Sequence, residues 1–142
     1  MNLGTGESLV KVVLDTNVLV SAILFGGKPD QVLYLILDGK IIGIISPVLL
    51  AELKEIFSKK FPLSKKDFEL TFKNIEEIFE IVRPKETLDI VRDEDDNRVL
   101  EAALEGRCSY IVTGDNDLLD LANFKNIKIM TPDEFLKSLE IS

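Results

Sequence analysis

Acidic side chains follow two apolar segments that are typical of buried β-strands, and these acids are the residues best placed to do chemistry. Asp15 comes directly after LVKVVL at 9–14, and Asp115 stands in a similar relation to YIVT at 110–113. Each could cap the helix that follows, because Asp is favoured at helix N-caps, although capping alone would account for only one of the two. In a parallel α/β sheet both acids would reach the edge where working sites lie.

Glu52 is a third acid in an unusual place, inside the apolar stripe of a predicted helix at 47–60. Ser46 and Pro47 form a favourable N-cap and N1 pair for this helix. The stripe consists of Val48, Leu49, Leu53, Ile56 and Phe57. A carboxylate that faces a core is destabilising unless it is paired or bound to a cation. A structural salt bridge with a lysine and a metal site are therefore both open for Glu52.

The segment DEDDN at 93–97 places four acids at the start of another predicted helix. Negative charge is favoured at a helix N-terminus, which explains part of this cluster. Asp96 is predicted to point toward the sheet, because it shares a helix face with apolar residues. These residues are Val99, Leu100 and Ala103. Asp93, one turn earlier, could reach the same place, and both Asp93 and Asp95 compete with Asp96 for a role in an acidic site.

Histidine is absent and Cys108 is the only cysteine, which limits the available chemistry. Ser-His-Asp and Cys-His mechanisms, zinc sites built from His or several Cys, and an intramolecular disulfide are excluded. Cys108 precedes an apolar strand and is predicted to be a packed thiol. Carboxylates gathered at one sheet edge would repel one another unless a cation balanced them. Oxygen ligands alone select Mg²⁺ or Mn²⁺, and such a centre can promote phosphodiester hydrolysis.

Strands and helices alternate along the chain, which predicts an α/β, three-layer α/β/α sandwich with a five-stranded parallel sheet. The predicted strands are 9–14, 41–45, 80–83, 110–113 and 127–130. The predicted helices are 18–25, 30–37, 47–60, 63–79, 95 or 96 to 105, 115–122 and one from 132. In this interpretation Gly26, Gly27 and Pro29 end the first helix, and Asp30 caps the second helix.

A single domain is expected over residues 1–142, with residues 1–8 as a loose lead-in to the first strand. The lead-in lacks the basic-then-apolar order of a secretory signal. No apolar stretch approaches the roughly 20 residues that a membrane-spanning helix needs. We therefore expect a cytoplasmic protein without a membrane partner.

Four segments, taken in order, resemble the PIN (PilT N-terminus) domains, especially the prokaryotic VapC-like branch of toxins from toxin–antitoxin pairs. The resemblance extends from Val12 to the last helix. The segments are Asp-Thr-Asn at 15–17, the helix residue Glu52, DDNRVLEAA at 95–103 and IVTGDNDLL at 111–119. Each segment is weak alone, but the four in this order are strongly specific.

This resemblance implies functional roles for particular residues. Asp15, Glu52, Asp96 and Asp115 match the family's metal-binding, catalytic acids, with Asp93 and Asp117 as alternative or additional ligands. Thr16, Asn17 and Thr113 match small polar residues that orient carboxylates or contact phosphate. The implied activity is cleavage of single-stranded RNA with Mg²⁺ or Mn²⁺. The implied partners are a second copy of the chain and, for toxin members, an antitoxin that blocks the site.

The net charge of −8 is unusual for a protein that acts on RNA, so a local basic surface is required. One candidate RNA-contacting rim is a group of lysines that could equally be a solvated helix face. It consists of Lys54, Lys59, Lys60, Lys65 and Lys66. A group of phenylalanines could include a partner-binding patch, although helical spacing favours core packing. It consists of Phe57, Phe61, Phe68, Phe72 and Phe79.

Two other functions fit parts of the pattern. A non-catalytic RNA-binding or scaffolding domain could use the same fold, but carboxylates that face phosphate would not help it bind. An aspartyl-phosphate phosphatase is suggested by Asp15 after a strand, but that chemistry ordinarily uses a second acid two residues later, and Asn17 stands there.

Overall fold

The computed structural model describes residues 9–141, with side chains described for residues 9–139. The expected lead-in at residues 1–8 lies outside this range. A central sheet is flanked by helices, which confirms the predicted three-layer α/β class. The strands are β1 (Lys11–Leu14), β2 (Ile42–Ile45), β3 (Glu80–Ile81), β4 (Tyr110–Val112), β5 (Asn123–Phe124) and β6 (Ile127–Met130).

The sheet order is β3-β2-β1-β4-β6-β5, and every neighbouring pair except β5 and β6 is parallel. The five predicted parallel strands are therefore present, and β5 is an additional antiparallel edge strand. It was missed because its two residues, Asn123 and Phe124, belong to no apolar, β-branched run. Its hairpin turn uses Lys125 (φ 47°) and Asn126 (φ 68°), the left-handed pair that tight hairpins require.

The register of β1 and β4 brings two chemically important residues together. Val13 pairs with Ile111, and Leu14 pairs with Val112. The next residues, Asp15 and Thr113, therefore leave neighbouring central strands at the same edge. The Asp15 amide donates to the Val112 carbonyl over 2.9 Å, which extends the pairing to the edge of the site.

The helices agree broadly with the predicted ones. They are α1 (Thr16–Leu24), α2 (Gly27–Leu37), α3 (Pro47–Glu55), α4 (Lys65–Ile78), α5 (Glu94–Glu105), α6 (Asn116–Leu121) and α7 (Pro132–Ile141). A π-helical turn, Ile56–Lys60, continues α3. Predicted strand 80–83 is shorter, because after Ile81 only the Val82 amide still bonds to β2 before Pro84.

The boundary between α1 and α2 was placed wrongly. Gly26, with φ 79°, is the N-cap of α2, and Asp30 lies in the first turn rather than capping it. Pro29 does not end a helix here, because the first helical turn needs no backbone N–H partner inside the helix. Within residues 9–141, no single helix is long and apolar enough to cross a membrane. Only α1 and α2 taken together are long and apolar enough, and the two helices meet at a bend of 97°.

The core forms where the apolar faces of the helices pack against the central strands. Phe57, Leu53, Leu100 and Phe135 are among the fully buried side chains. Cys108 is also buried, and its burial raises the pKa of the thiol to about 12. This agrees with the interpretation of Cys108 as a packed thiol, since a protonated thiol is a poor nucleophile.

Polar side chains of α5 hold the extended segment that precedes it. The side chain of Asn97 is 1% exposed, accepts from the amides of Ile90 and Val91, and donates to the Val91 carbonyl, all within 3.0 Å. Glu101 accepts from the Leu88 amide over 2.7 Å. Part of the motif at 95–103 therefore supports the backbone that leads into Asp93.

We expect Asn97→Ala to lower the free energy of unfolding by about 2–3 kcal/mol, because it leaves three backbone groups without partners. Urea unfolding followed by circular dichroism measures this change. Asn123→Ala, at an exposed position in β5, is the matched control and should change stability by less than about 0.5 kcal/mol. Equal effects of the two substitutions would contradict the structural role of Asn97.

Candidate metal centre

A cavity of about 790 Å³ opens at the carboxyl ends of β1 and β4. It is lined by Asp15, Thr16, Asn17, Val48, Ala51, Glu52, Glu55, Ile56, Lys59, Lys60, Asp93, Asp95, Asp96 and Asp115. The four main predicted acids thus converge on one space from four parts of the chain. Parallel strand topology explains this, because helices and loops that follow neighbouring strands meet at one edge.

Asp15 occupies the N-cap position of α1, but its side chain makes no cap hydrogen bond. Asp15 is 6% exposed, and its Oδ2 accepts from the Thr113 hydroxyl over 2.7 Å. The Thr113 hydroxyl oxygen in turn accepts from the Asp115 amide over 2.9 Å. Burial raises the pKa of Asp15, and the hydrogen bond from Thr113 opposes that shift. Capping therefore does not explain Asp15, and Thr113 orients its carboxylate from the neighbouring strand.

Asp115 and Asp93 do cap helices. Asp115 Oδ1 accepts from the amides of Asp117 and Leu118, and Asp93 Oδ1 accepts from the Asp95 amide. Both acids nevertheless line the cavity. A carboxylate has two oxygens, so capping through Oδ1 leaves Oδ2 for another partner. The capping and site interpretations are therefore compatible for these two residues.

Glu52 is half-buried, and its Oε1 accepts from the Thr16 hydroxyl over 2.6 Å. Burial raises the pKa of Glu52, the Thr16 hydrogen bond opposes this, and Asp95 adds repulsion. No ion pair to a lysine or arginine is found for Glu52 among the described side chains. A structural salt bridge therefore does not explain Glu52, and Thr16 holds it at the cavity.

The helix face that carries Glu52 was predicted to face the core, and this was only partly right. Val48 is 48% exposed and lines the cavity with Ile56, whereas Leu49, Leu53 and Phe57 are buried. The N-terminal part of α3 lies beside the sheet edge, so one side of its apolar stripe meets the cavity instead of the sheet. Glu55, one turn after Glu52, also lines the cavity and was missed. Its i+3 spacing from Glu52 was the available signal.

Asp96 is the most buried of the four acids in the DEDDN segment, with 5% exposure, whereas Asp93 and Asp95 are exposed. The prediction that Asp96 points inward with its apolar neighbours is thus confirmed. Its Oδ2 atom is buried and has no hydrogen-bond partner among the described residues. Burial, together with repulsion from Asp115, raises the pKa of Asp96 to about 7.

Asp96, Asp115 and Asp117 each offer a carboxylate oxygen, and these oxygens lie within 4.8 Å of one another. A buried carboxylate oxygen without a partner is costly, and repulsion between acids adds to that cost. A hard divalent cation would offset both, because Mg²⁺ and Mn²⁺ prefer oxygen ligands. The residues present therefore fit such an ion, with Asp117 at the side of the group rather than in the cavity lining.

The lysines of the predicted RNA-contacting rim lie in different environments. Lys59 and Lys60 line the cavity, whereas Lys54 pairs with Glu76 over 3.8 Å and lies over a phenylalanine ring.

The predicted phenylalanine group contains both core and exposed residues. Phe57, Phe72 and Phe79 are core residues. Phe61 remains partly exposed, and Phe68 is half-buried against the ring of Phe72.

Comparison with known proteins agrees with this architecture. A family model described as a PIN domain matches residues 11–117. The uncharacterized protein MJ1680 of Methanocaldococcus jannaschii is 33% identical over 144 residues, which cover 92% of each chain.

Three solved structures share the fold at low sequence identity. PAE2754 from Pyrobaculum aerophilum is 17% identical with a TM-score of 0.58, over 99% of this chain and 97% of that one. VapBC2 from Rickettsia felis, bound to a DNA fragment from its promoter, is 19% identical with a TM-score of 0.57, over 84% and 97%. FitAcB from Neisseria gonorrhoeae is 18% identical with a TM-score of 0.57, over 85% and 97%. The family match and the MJ1680 relative together show that this chain belongs to the PIN-domain family.

Proposed function

We propose that this protein is a metal-dependent endoribonuclease that cleaves single-stranded RNA at the acidic cavity. The observation that carries the proposal is the convergence of acids from separate elements around the buried, unpartnered Oδ2 of Asp96. Membership of the PIN-domain family supports nuclease chemistry. We also propose that the protein acts in the cytoplasm.

Asp15, Asp96 and Asp115 are the proposed principal metal ligands, with Glu52, Asp93 and Asp117 able to contribute further oxygens. Bound Mg²⁺ or Mn²⁺ would lower the pKa of a water and stabilise negative charge on the phosphate oxygens. Thr113 fixes the Asp15 carboxylate at the cavity by a hydrogen bond to Oδ2. The buried setting strengthens electrostatic interactions within the site.

Glu52 has a second proposed role, as an acceptor for the proton of the attacking water. The Thr16 hydroxyl donates to Oε1 of Glu52 and holds this carboxylate at the cavity. Burial raises the pKa of Glu52 in the metal-free protein, and glutamate carboxylates commonly act as general bases. Asn17 lines the cavity beside Thr16 and is exposed, which suits contact with a phosphate or a ribose hydroxyl.

We further propose that the protein is the toxin of a toxin–antitoxin pair, that it forms a homodimer, and that an antitoxin protein blocks the cavity. The support is the set of VapC-like motifs together with the likeness in fold to VapBC2 and FitAcB. Light scattering of the purified chain tests the dimer. Co-purification with the product of a neighbouring gene tests the antitoxin.

The direct test of the activity is incubation of the purified protein with an end-labelled single-stranded RNA. We expect fragments with Mg²⁺ or Mn²⁺ and none after addition of EDTA. A perfectly paired RNA duplex of the same sequence serves as the substrate control and should be cut more slowly. RNA binding that EDTA does not weaken, without cleavage in any metal, would contradict the proposal and favour a non-catalytic binding domain.

A further inference from the structure

The cavity lining contains positive as well as negative side chains. Most of its acids lie near the sheet edge, whereas Lys59 and Lys60, at the end of the π-helical turn, line the same cavity beside Glu55. In a chain of net charge −8, any positive surface that helps to hold RNA has to be local. Among the residues that line the cavity, these two lysines are the cationic ones.

The π-helical turn affects the position of Lys60, whereas an uninterrupted α-helix would already place Lys59 within about 20° of Glu52. In an uninterrupted α-helix, the eight residues from Glu52 to Lys60 would rotate the side chain by about 800°, which places it about 80° away from Glu52. A π-helical turn contains more residues, and the Phe61 amide bonds to the Ile56 carbonyl over 2.8 Å. This wider turn rotates Lys60 back toward the side of Glu52.

Apolar side chains of α3 and of the π-helical turn also line the cavity, together with the charged side chains. They belong to Val48, Ala51 and Ile56. A single RNA strand presents charged phosphates separated by ribose and base, whose faces can pack on apolar side chains. The lining therefore contains groups of the chemical types that two successive phosphates and the nucleoside between them would require.

We propose that Lys59 and Lys60 bind a backbone phosphate of single-stranded RNA next to the phosphate held at the carboxylates. The nucleoside between the two phosphates packs on Val48, Ala51 and Ile56. This inference rests on the proposed function, because it assumes RNA as the substrate. Lys59 forms an ion pair with Glu55 over 3.9 Å, but its side chain is 78% exposed, and such pairs contribute little. Lys59 can therefore exchange Glu55 for a phosphate at a small cost in free energy.

The chain offers a matched control. Lys65 and Lys66 belong to the predicted RNA-contacting rim, but the structure places these adjacent, exposed lysines at the start of α4, and they are not among the residues that line the cavity. Removing either pair changes the net charge equally. A difference between the two double variants therefore reports local contact with RNA rather than the overall field of the protein.

The experiment measures binding of a fluorescein-labelled single-stranded RNA by anisotropy, with Mg²⁺, in an Asp15→Asn background. We expect Lys59→Ala/Lys60→Ala to raise Kd about 5- to 20-fold and Lys65→Ala/Lys66→Ala less than about twofold. The dependence of log Kd on log salt should become shallower by about 0.7 to 1.4 for the first pair only.

Two outcomes would overturn the inference: equal effects of the two pairs, or no measurable RNA binding by the parent. Cleavage is assayed separately in the wild-type background. If nothing is cleaved but binding still depends on Lys59 and Lys60, the nuclease proposal fails and the lysine site stands. If RNA is cleaved but the two double variants weaken RNA binding equally, the proposed lysine site is wrong and the nuclease proposal stands.

Discussion

Replacing Asp15 by Asn is expected to lower the rate of RNA cleavage by on the order of 10³-fold. An amide carries no negative charge and is a weaker ligand for Mg²⁺ or Mn²⁺ than a carboxylate. Asp15 lies at the end of β1 and shares the cavity with Asp96 and Asp115, so its loss removes charge from the centre of the site. Gel analysis of an end-labelled RNA at saturating metal measures the rate.

The Asp15→Asn chain should remain folded. The Asn carbonyl oxygen can still accept the hydrogen bond from the Thr113 hydroxyl. Burial and repulsion from Asp115 and Asp93 raise the pKa of Asp15, so its ionised form is unfavourable in the metal-free protein. The neutral amide removes this repulsion. Without metal, the thermal midpoint of the variant should therefore equal or exceed that of the wild type.

Asp120→Asn is the matched control for this substitution. Asp120 is an exposed acid on α6 that is absent from the cavity lining. Its replacement should leave cleavage within about twofold of wild type, because it loses the same charge away from the reacting groups. A wild-type cleavage rate for Asp15→Asn itself would refute the proposed role of Asp15.

The second large effect is a fall in the stability of the metal-free protein as pH rises from about 4 to 8. The pKa of Asp96 is raised from 3.8 to about 7 by burial and by Asp115. Between these values the folded state binds more protons than the unfolded state. The stabilisation is thus fully present below pH 3.8 and is lost as pH rises through about 7. Its size is between about 1 and 4 kcal/mol.

Metal should reverse this loss at pH 8. The ion binds the deprotonated carboxylates of the folded chain, so stabilisation grows as protons leave. At a metal concentration about 100-fold above Kd, the gain is about 2.7 kcal/mol.

Urea unfolding at pH 5 and pH 8, with and without Mn²⁺, measures both effects. In Asp96→Asn, which cannot ionise at this position, the pH dependence should shrink and the Mn²⁺ effect should largely disappear. An unchanged response to pH and Mn²⁺ in this variant would show that Asp96 does not control them.

The sequence was sufficient to predict where several acids emerge. The runs before Asp15 and Asp115 are short, apolar and β-branched, so the strands and their ends could be located. Parallel topology then predicts a common edge. Asp96 could be preferred over Asp93 and Asp95 because helical periodicity gave it a buried face, and the structure buries it.

Other features depend on contacts that local patterns do not encode. The hydrogen bond from Thr113 to Asp15 joins residues 98 positions apart and requires β1 and β4 to be neighbours. The anchoring of residues 88–91 by Asn97 and Glu101 arises from side-chain contacts with a backbone that has no regular structure. The π-helical turn at Ile56–Lys60 leaves no mark in the hydrophobic periodicity. Of these contacts, the hydrogen bond from Thr113 to Asp15 is the one that joins two distant parts of the chain at the site.

The most direct test of the account is a crystal structure of the protein soaked in Mn²⁺, with anomalous diffraction data recorded near the manganese edge. We predict an anomalous peak in the cavity, within about 2.2 Å of carboxylate oxygens from Asp15, Asp96 and Asp115. A cavity without such a peak, in crystals where Mn²⁺ binds only at surface acids, would contradict the claim that these side chains form one divalent-metal site.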